Sequence, residues 1–282
     1  MKRTAIAILI AVLVVVIGAG LLFAGLSAVN FKFEKLDRTE YMTNTYEFAD
    51  SIRSLDIKGY TVDVELLPAE DGTCRVVSAE NDREQYSVTV QDGTLVIRPV
   101  ADTHTWSLFS FPFKSPKISV YLPAGTYEQL KAQLDTGDIT ADRTLSFETV
   151  DVSSDTGDLT LSGVQAREIT AHSDTGTIRV GDMTPESANL SVHTGKLDVY
   201  NLVCSGDLRC ESSTGDVRLT DVDGANLYLK ASTGDILGTI RTEKVFVASS
   251  STGDVSVPTG TTGGRCEAST STGDIKLAIS GH

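Results

Sequence analysis

The sequence predicts an all-β chain: a parallel β-solenoid of laps about 19–20 residues long, preceded by one N-terminal transmembrane helix. Three observations carry that expectation. The dipeptide Thr-Gly recurs with its glycine at 137, 157, 176, 195, 215, 234, 253 and 273, a near-constant step. Around each copy apolar residues stand two apart with polar residues between them, which is strand alternation rather than a helical period. Ahead of all this lies one long apolar run.

That run, AIAILIAVLVVVIGAGLLFAGLSAV (5–29), holds no charge, and Lys2 and Arg3 precede it. About 20 apolar residues span a bilayer, and flanking positive charge favours the inner side. The expectation is a single-pass signal anchor in the cell membrane, with residues 1–4 cytoplasmic and 30–282 extracytoplasmic. A long signal peptide cut near Ser27 or Ala28 is the alternative.

Residues 30–50 read as a linker and first strand. Residues 51–134 read as an irregular N-terminal part of the solenoid. Within it SLDIKGYTVDVELLPAEDG (54–72) is a degenerate first lap with Gly59 and Asp63. YSVTVQDGTLVIRP (86–99) is a hairpin that turns at Asp92-Gly93. KISVYLP (117–123) is a further strand, and TYEQLKA (126–132) carries a helical-turn signal. THTWSLFSFPFKSP (103–116) concentrates Trp106, Phe109, Phe111 and Phe113. It reads as a cap over the open end of the stack. The competing reading is an exposed apolar loop that touches a partner or the outer membrane leaflet.

Residues 135–282 form the regular repeat. Two residues after each glycine stand Ile139, Leu159, Ile178, Leu197, Val217, Ile236, Val255 and Ile275, all aliphatic. Five before stand Ala132, Val152, Ala171, Leu190, Cys210, Leu229, Ala248 and Ala268, all apolar. Each lap reads as two short strands bent at Thr-Gly, and only stacking buries the apolar side. Stacked in sequence order, Cys210 and Cys266 sit three laps, about 14 Å, apart on a strand spacing of about 4.8 Å. That is too far for a disulfide, so both read as small core residues. The final lap, STGDIKLAISGH, has no following lap to pair with.

The recurring Thr-Gly-Asp has a structural reading and a chemical one. Glycine supplies the backbone conformation a sharp bend needs, and the following aspartate can cap free N–H groups. The chemical reading is calcium, which takes six to eight oxygens, at Asp135, Asp138, Asp155, Asp158 and Asp174. The pattern lapses at Thr177 and Lys196, and the structural reading is preferred. The lapse at HTGKLD (193–198) places His193, Lys196 and Asp198 near His172 and Asp174 of the lap before, a candidate interaction patch. No nucleophile elbow, phosphate loop or HExxH is present, so an enzyme is not expected.

The chain is acidic, with formal net charge −14. That disfavours nucleic acid as a partner. The four cysteines form no CxxC pair, so a zinc site of usual spacing is not supported.

The apolar N-terminal run, LDIKGYTVDVEL, KISVYLP and the laps of TGDI, TGDL and TGDV together resemble a bacterial adhesin-like family of unknown function built from β-strand repeats. The resemblance covers about 50–280. It implies a membrane-anchored envelope protein and brings no catalytic residues. His193, Thr194, Gly195 and Lys196 depart from the family's Gly-Asp pattern. The expected function is a non-enzymatic surface interaction module with an unidentified protein or a cell-wall or carbohydrate partner, and end-to-end self-association of the stack. An accessory or sensor role in envelope-stress signalling is the first alternative, and a calcium-dependent or carbohydrate-active protein the second.

Overall fold

The computed structural model describes residues 41–80, 85–100, 116–141 and 143–280. Every regular element among them is a strand. In chain order these are β1 (Met42–Phe48), β2 (Ser54–Thr61), β3 (Asp63–Pro68), β4 (Cys74–Glu80), β5 (Tyr86–Gln91), β6 (Thr94–Pro99) and β7 (Lys117–Leu122). Then come β8 (Thr126–Thr136), β9 (Ile139–Ala141), β10 (Ser146–Thr156), β11 (Leu159–Ser162), β12 (Gln165–Met183), β13 (Ser187–Leu202) and β14 (Asp207–Thr214). The last are β15 (Val217–Val222), β16 (Asn226–Thr233), β17 (Ile236–Ile240), β18 (Val245–Thr252), β19 (Val255–Ser256), β20 (Arg265–Thr272) and β21 (Ile275–Ile279).

All 21 strands join one sheet of mixed orientation that winds, nearly closed and barrel-like, around a single apolar core. This corrects the expected fold class, a parallel β-solenoid behind a transmembrane helix: the sheet is of mixed orientation, and no transmembrane helix is found among the described residues. Three pairings are antiparallel: β1 with β4, β4 with β7 and β5 with β6. A local turn imposes the last of these. Asp92 and Gly93 both take positive φ, 51° and 78°, the two-residue turn that folds a strand back on itself. Gly72 (φ 71°) and the Asp71 carboxylate, which accepts from Thr73 N at 3.0 Å, turn the chain between β3 and β4. The helical-turn signal at 126–132 is also wrong: the segment is the start of strand β8, with Tyr127, Leu130 and Ala132 buried.

Nothing among the described residues supports the expected single-pass anchoring in the cell membrane. Among the described residues no helix is long and apolar enough to cross a membrane. The run 5–29 lies outside the described residues, as do Trp106, Phe109, Phe111 and Phe113.

From β8 to β17 each lap pairs parallel with the next, Thr on Thr: Thr136 with Thr156, Thr156 with Thr175, Thr175 with Thr194. The inward columns are buried, with Ile139, Leu159, Ile178, Leu197, Val217, Ile236 and Ile275 each fully covered. All four cysteines are buried and free.

The laps do not stack in sequence order at the far end. β20 pairs with both β16 and β18, and β21 with both β17 and β19. The final lap therefore slides in between the two before it, and the lap of β18 and β19 becomes the edge. Cys210 and Cys266 are in consequence two laps apart, not three: Leu208 pairs with Leu227 and Leu227 with Cys266. The reason lies in the second strand of each lap. β21 matches β17 over five residues, Ile236–Ile240 against Ile275–Ile279. β19 has two residues, and Pro258 follows close behind. Proline cannot donate to an interior ladder, so that lap belongs at an edge.

Candidate functional site

The Thr-Gly-Asp bend is the first place to look for chemistry, and its geometry assigns the residues to stacking. Gly157 has φ 158°, and a Cβ there would lie 1.9 Å from Gly137 O. Gly215 has φ 132°, with a Cβ 1.7 Å from Gly195 O. The laps approach so closely at the bend that only glycine fits. The aspartate after it reaches to the following lap. Asp63 Oδ1 accepts from Asp138 N at 3.0 Å, Asp138 Oδ1 from Asp158 N at 2.7 Å, and Asp158 Oδ1 from Thr177 N at 2.7 Å. The ladder resumes with Asp216 accepting from Asp235 N (3.2 Å), Asp235 from Asp274 N (2.8 Å) and Asp274 from Asp254 N (2.9 Å). Inside the bend, Ser154 and Ser173 donate to the glycine carbonyl of the preceding lap, at 2.9 and 3.0 Å.

These bonds give the expected calcium ligands other work. Asp138 and Asp158 each spend one oxygen on a backbone N–H, which also lowers the cost of stacking like charges on adjacent strands. Asp155 is exposed. Asp135 lines a separate cleft with Lys58, Tyr60, Arg98 and Gln133. Asp174 is bonded to His172. Among the described residues no group of three or more His, Cys, Asp or Glu side chains is placed to hold a metal ion.

A second site builds on the outer face of β12, β13, β14 and β16. Register places His172, Ser191, Glu211 and Lys230 side by side on four neighbouring strands. One step along, Asp174, His193, Ser213 and Ser232 make a second row in the same register. Outward residues of a strand recur every second position, which is why the two rows share a face. His172 Nδ1 lies 2.8 Å from Ser191 Oγ, and His172 Nε2 lies 3.0 Å from Asp174 Oδ1. The rows enclose a shallow cleft of about 140 Å³. Beneath it Ser212 is buried, and its Oγ has no hydrogen-bond partner among the described residues.

The structure divides the patch read from the sequence. His172 and His193 line this cleft, and Asp174 is bonded to His172. Lys196 and Asp198 lie beyond the Thr194-Gly195 bend, where Asp198 pairs with Arg179 (3.2 Å) and Lys196 stands beside Thr177. Ser191, Glu211 and Lys230 were missed. Lap register signals them, because each occupies the position four before the Thr-Gly glycine, as His172 does.

Buried groups elsewhere are structural. Lys244 Nζ lies 2.6 Å from Asp223 Oδ1 and donates to Thr242 Oγ1 at 2.6 Å, with both charged side chains almost fully covered. Burial pushes the Cys74 thiol up to about 11 and those of Cys204 and Cys266 up to about 12. Burial raises Cys210 as well. None is a nucleophile at neutral pH.

The family model described as Toastrack DUF4097 matches residues 52–281. No curated protein matches the chain. Among solved structures, a protein from Bacteroides fragilis described as a putative adhesin is similar, with 16% identity, a TM-score of 0.52, and 84% of this chain and 97% of that one covered. A putative adhesin from Parabacteroides distasonis aligns at 15% identity and a TM-score of 0.44, over 86% and 98% of the two chains. A putative cell adhesion protein from Clostridium sporogenes aligns at 12% identity and 0.36, over 85% and 99%. At this identity the Bacteroides fragilis likeness speaks to the fold alone.

Proposed function

The chain belongs to the Toastrack DUF4097 family, and from that premise we propose that it is a non-enzymatic, adhesin-like binding module. Its partner is a hydroxyl-rich polymer, a cell-wall or other surface carbohydrate. The observation that carries this reading is the row of His172, Ser191, Glu211 and Lys230 across one cleft. It offers donors and acceptors in alternation at the spacing of neighbouring strands, about 4.8 Å. The cleft is far smaller than the roughly 300–1,000 Å³ of sites that engulf a small ligand. Contact along a polymer suits it better. The net charge of −14 disfavours polyanionic partners. The description of the Bacteroides fragilis protein as an adhesin is in keeping with this reading.

His172 between Ser191 and Asp174 favours a rival reading, acyl transfer with Ser191 as nucleophile. The next side chain in the row beyond Ser191 is Glu211. Its carboxylate opposes the negative charge that develops on the substrate oxygen, where a hydrolase places hydrogen-bond donors. Calorimetric titration with soluble N-acetylglucosamine oligomers separates the readings. Binding without turnover, weakened about tenfold or more by Glu211→Gln or His193→Ala, is the expected result. Ester hydrolysis lost in Ser191→Ala, or no binding of any surface glycan, overturns it.

A further inference from the structure

The lap of β18 and β19 is an edge of the sheet, and its residues depart from every other lap. In each earlier lap, the position six before the Thr-Gly glycine points outward and is polar or amphipathic, as at Lys131, Asp151, Thr170, Asn189 and Arg209, and at Glu267 of the inserted lap. At the edge it is Val247, 49% exposed. The position eight before the glycine, Arg265 in the neighbouring lap, is there Val245, 40% exposed. The inward residues Phe246 and Ala248 are only half-buried, and Val255 is 43% exposed. Over its first half, Val245–Ala248, β18 is apolar on both faces.

The backbone there is also unmatched. In the two laps before it, the glycine N–H and the N–H two residues on donate to the next lap. Gly234 N and Ile236 N bond Thr272 O and Asp274 O at 2.8 Å, and Gly273 N and Ile275 N bond Thr252 O and Asp254 O at 2.9 Å. Among the described residues no lap follows to receive Gly253 N–H and Val255 N–H. Edge strands ordinarily carry protection: a lysine, a proline, a bulge. Residues 245–253, VFVASSSTG, have no charge and no proline, and β18 has no positive φ.

We propose that β18 is a self-association edge, where two copies of this chain pair antiparallel about a two-fold axis at Ser249. The choice of a second copy rests on charge and on symmetry. The chain carries −14, yet this stretch carries none, so two acidic molecules meet here without opposing like charges. A two-fold interface is isologous, so this single free edge supplies both halves. Pairing about Ser249 sets Val247 against Ser251 and Val245 against Gly253 of the other copy. The outward N–H and C=O groups then match across the whole strand, and the open core end at Phe246 and Ala248 is covered.

The test uses the full chain in detergent solution. Sedimentation equilibrium is expected to show a dimer whose dissociation constant rises at least tenfold in Val247→Lys, and stays unchanged in Lys131→Glu in the same column. Ser249→Cys gives a register-specific readout. Paired residues of an antiparallel ladder lie about 5.5 Å apart between Cα atoms, within disulfide reach. Mild oxidation should link Ser249→Cys into a covalent dimer, and Val247→Lys should abolish the link. A chain monomeric at about 100 μM overturns the proposal. So does a dimer indifferent to Val247→Lys, or crosslinking of Ser249→Cys no greater than that of Thr170→Cys on mid-stack β12.

Discussion

Replacing Gly215 by alanine tests the stacking logic of the repeat at one atom. The new Cβ would lie 1.7 Å from Gly195 O, where ordinary contact is about 3.4 Å or more. Gly215 also sits at φ 132°, a region that costs other residues about 1–3 kcal/mol. Relief requires the laps to part. The junction is held by Gly215 N to Thr233 O (2.7 Å), Val217 N to Asp235 O (2.8 Å) and Asp235 N to Asp216 Oδ1 (3.2 Å). Losing two such bonds costs about 1 kcal/mol each. Together with the backbone penalty, the substitution should destabilise by about 4 kcal/mol. At an m-value of about 2 kcal/mol/M, the urea midpoint should fall by about 2 M. Gly125→Ala is the control, because a Cβ there meets nothing within 4 Å. A shift under about 0.5 M for Gly215→Ala, or equal shifts for both variants, would refute the close-approach account.

Other perturbations follow from the same geometry. Lys244→Met leaves the Asp223 carboxylate buried without its cation, and should cost about 3–5 kcal/mol in chemical unfolding. The double change Lys244→Met with Asp223→Leu should recover much of that loss. Asp274 is held below the usual carboxylate range, first by its bond from Lys276 and then by the N–H of Asp254. A depressed folded pKa means that its contribution is present above the ordinary carboxylate value and lost as pH falls through the lowered one. Asp274→Asn should therefore flatten the acid limb of the stability curve, measured as melting midpoint against pH, with no change near neutrality in its slope. The four buried thiols should resist alkylation until the chain unfolds, with mass spectrometry showing no adduct in the native state.

Some of the fold was legible because periodicity speaks directly about burial. Every inward aliphatic two residues past a Thr-Gly glycine is buried except Val255, and that exception marks the edge. The hairpin at Asp92-Gly93 was legible because two residues with positive φ leave one geometry. The order of the last laps was not. Stacking in sequence order assumes that each repeat meets its chain neighbours. Here the loop after Val257, VPTGTTGG (257–264), lets the final lap pass inside. Pro258 and the outward Val245 and Val247 were the signals, and they matter only once an edge is considered. The antiparallel N-terminal part was missed for a related reason. Strands there are too few to show a repeat, and their partners lie far along the chain, as Cys74 with Phe48. At the candidate site, the lapse in Gly-Asp drew attention to His193, which lines the cleft, and to Lys196, which lies beyond the bend. Ser191, Glu211 and Lys230 are ordinary members of their column and become a site only when the strands are laid side by side.

The central claim is that Thr-Gly-Asp holds the laps together, while binding belongs to the outer face around His172 and Ser191. One comparison tests it most directly: the affinity of Glu211→Gln and of Asp158→Asn for the same N-acetylglucosamine oligomer. The account predicts at least tenfold weaker binding for Glu211→Gln, and a lower melting midpoint with unchanged affinity for Asp158→Asn. Affinity lost at Asp158 and kept at Glu211 would contradict it, and would place the ligand on the aspartate ladder.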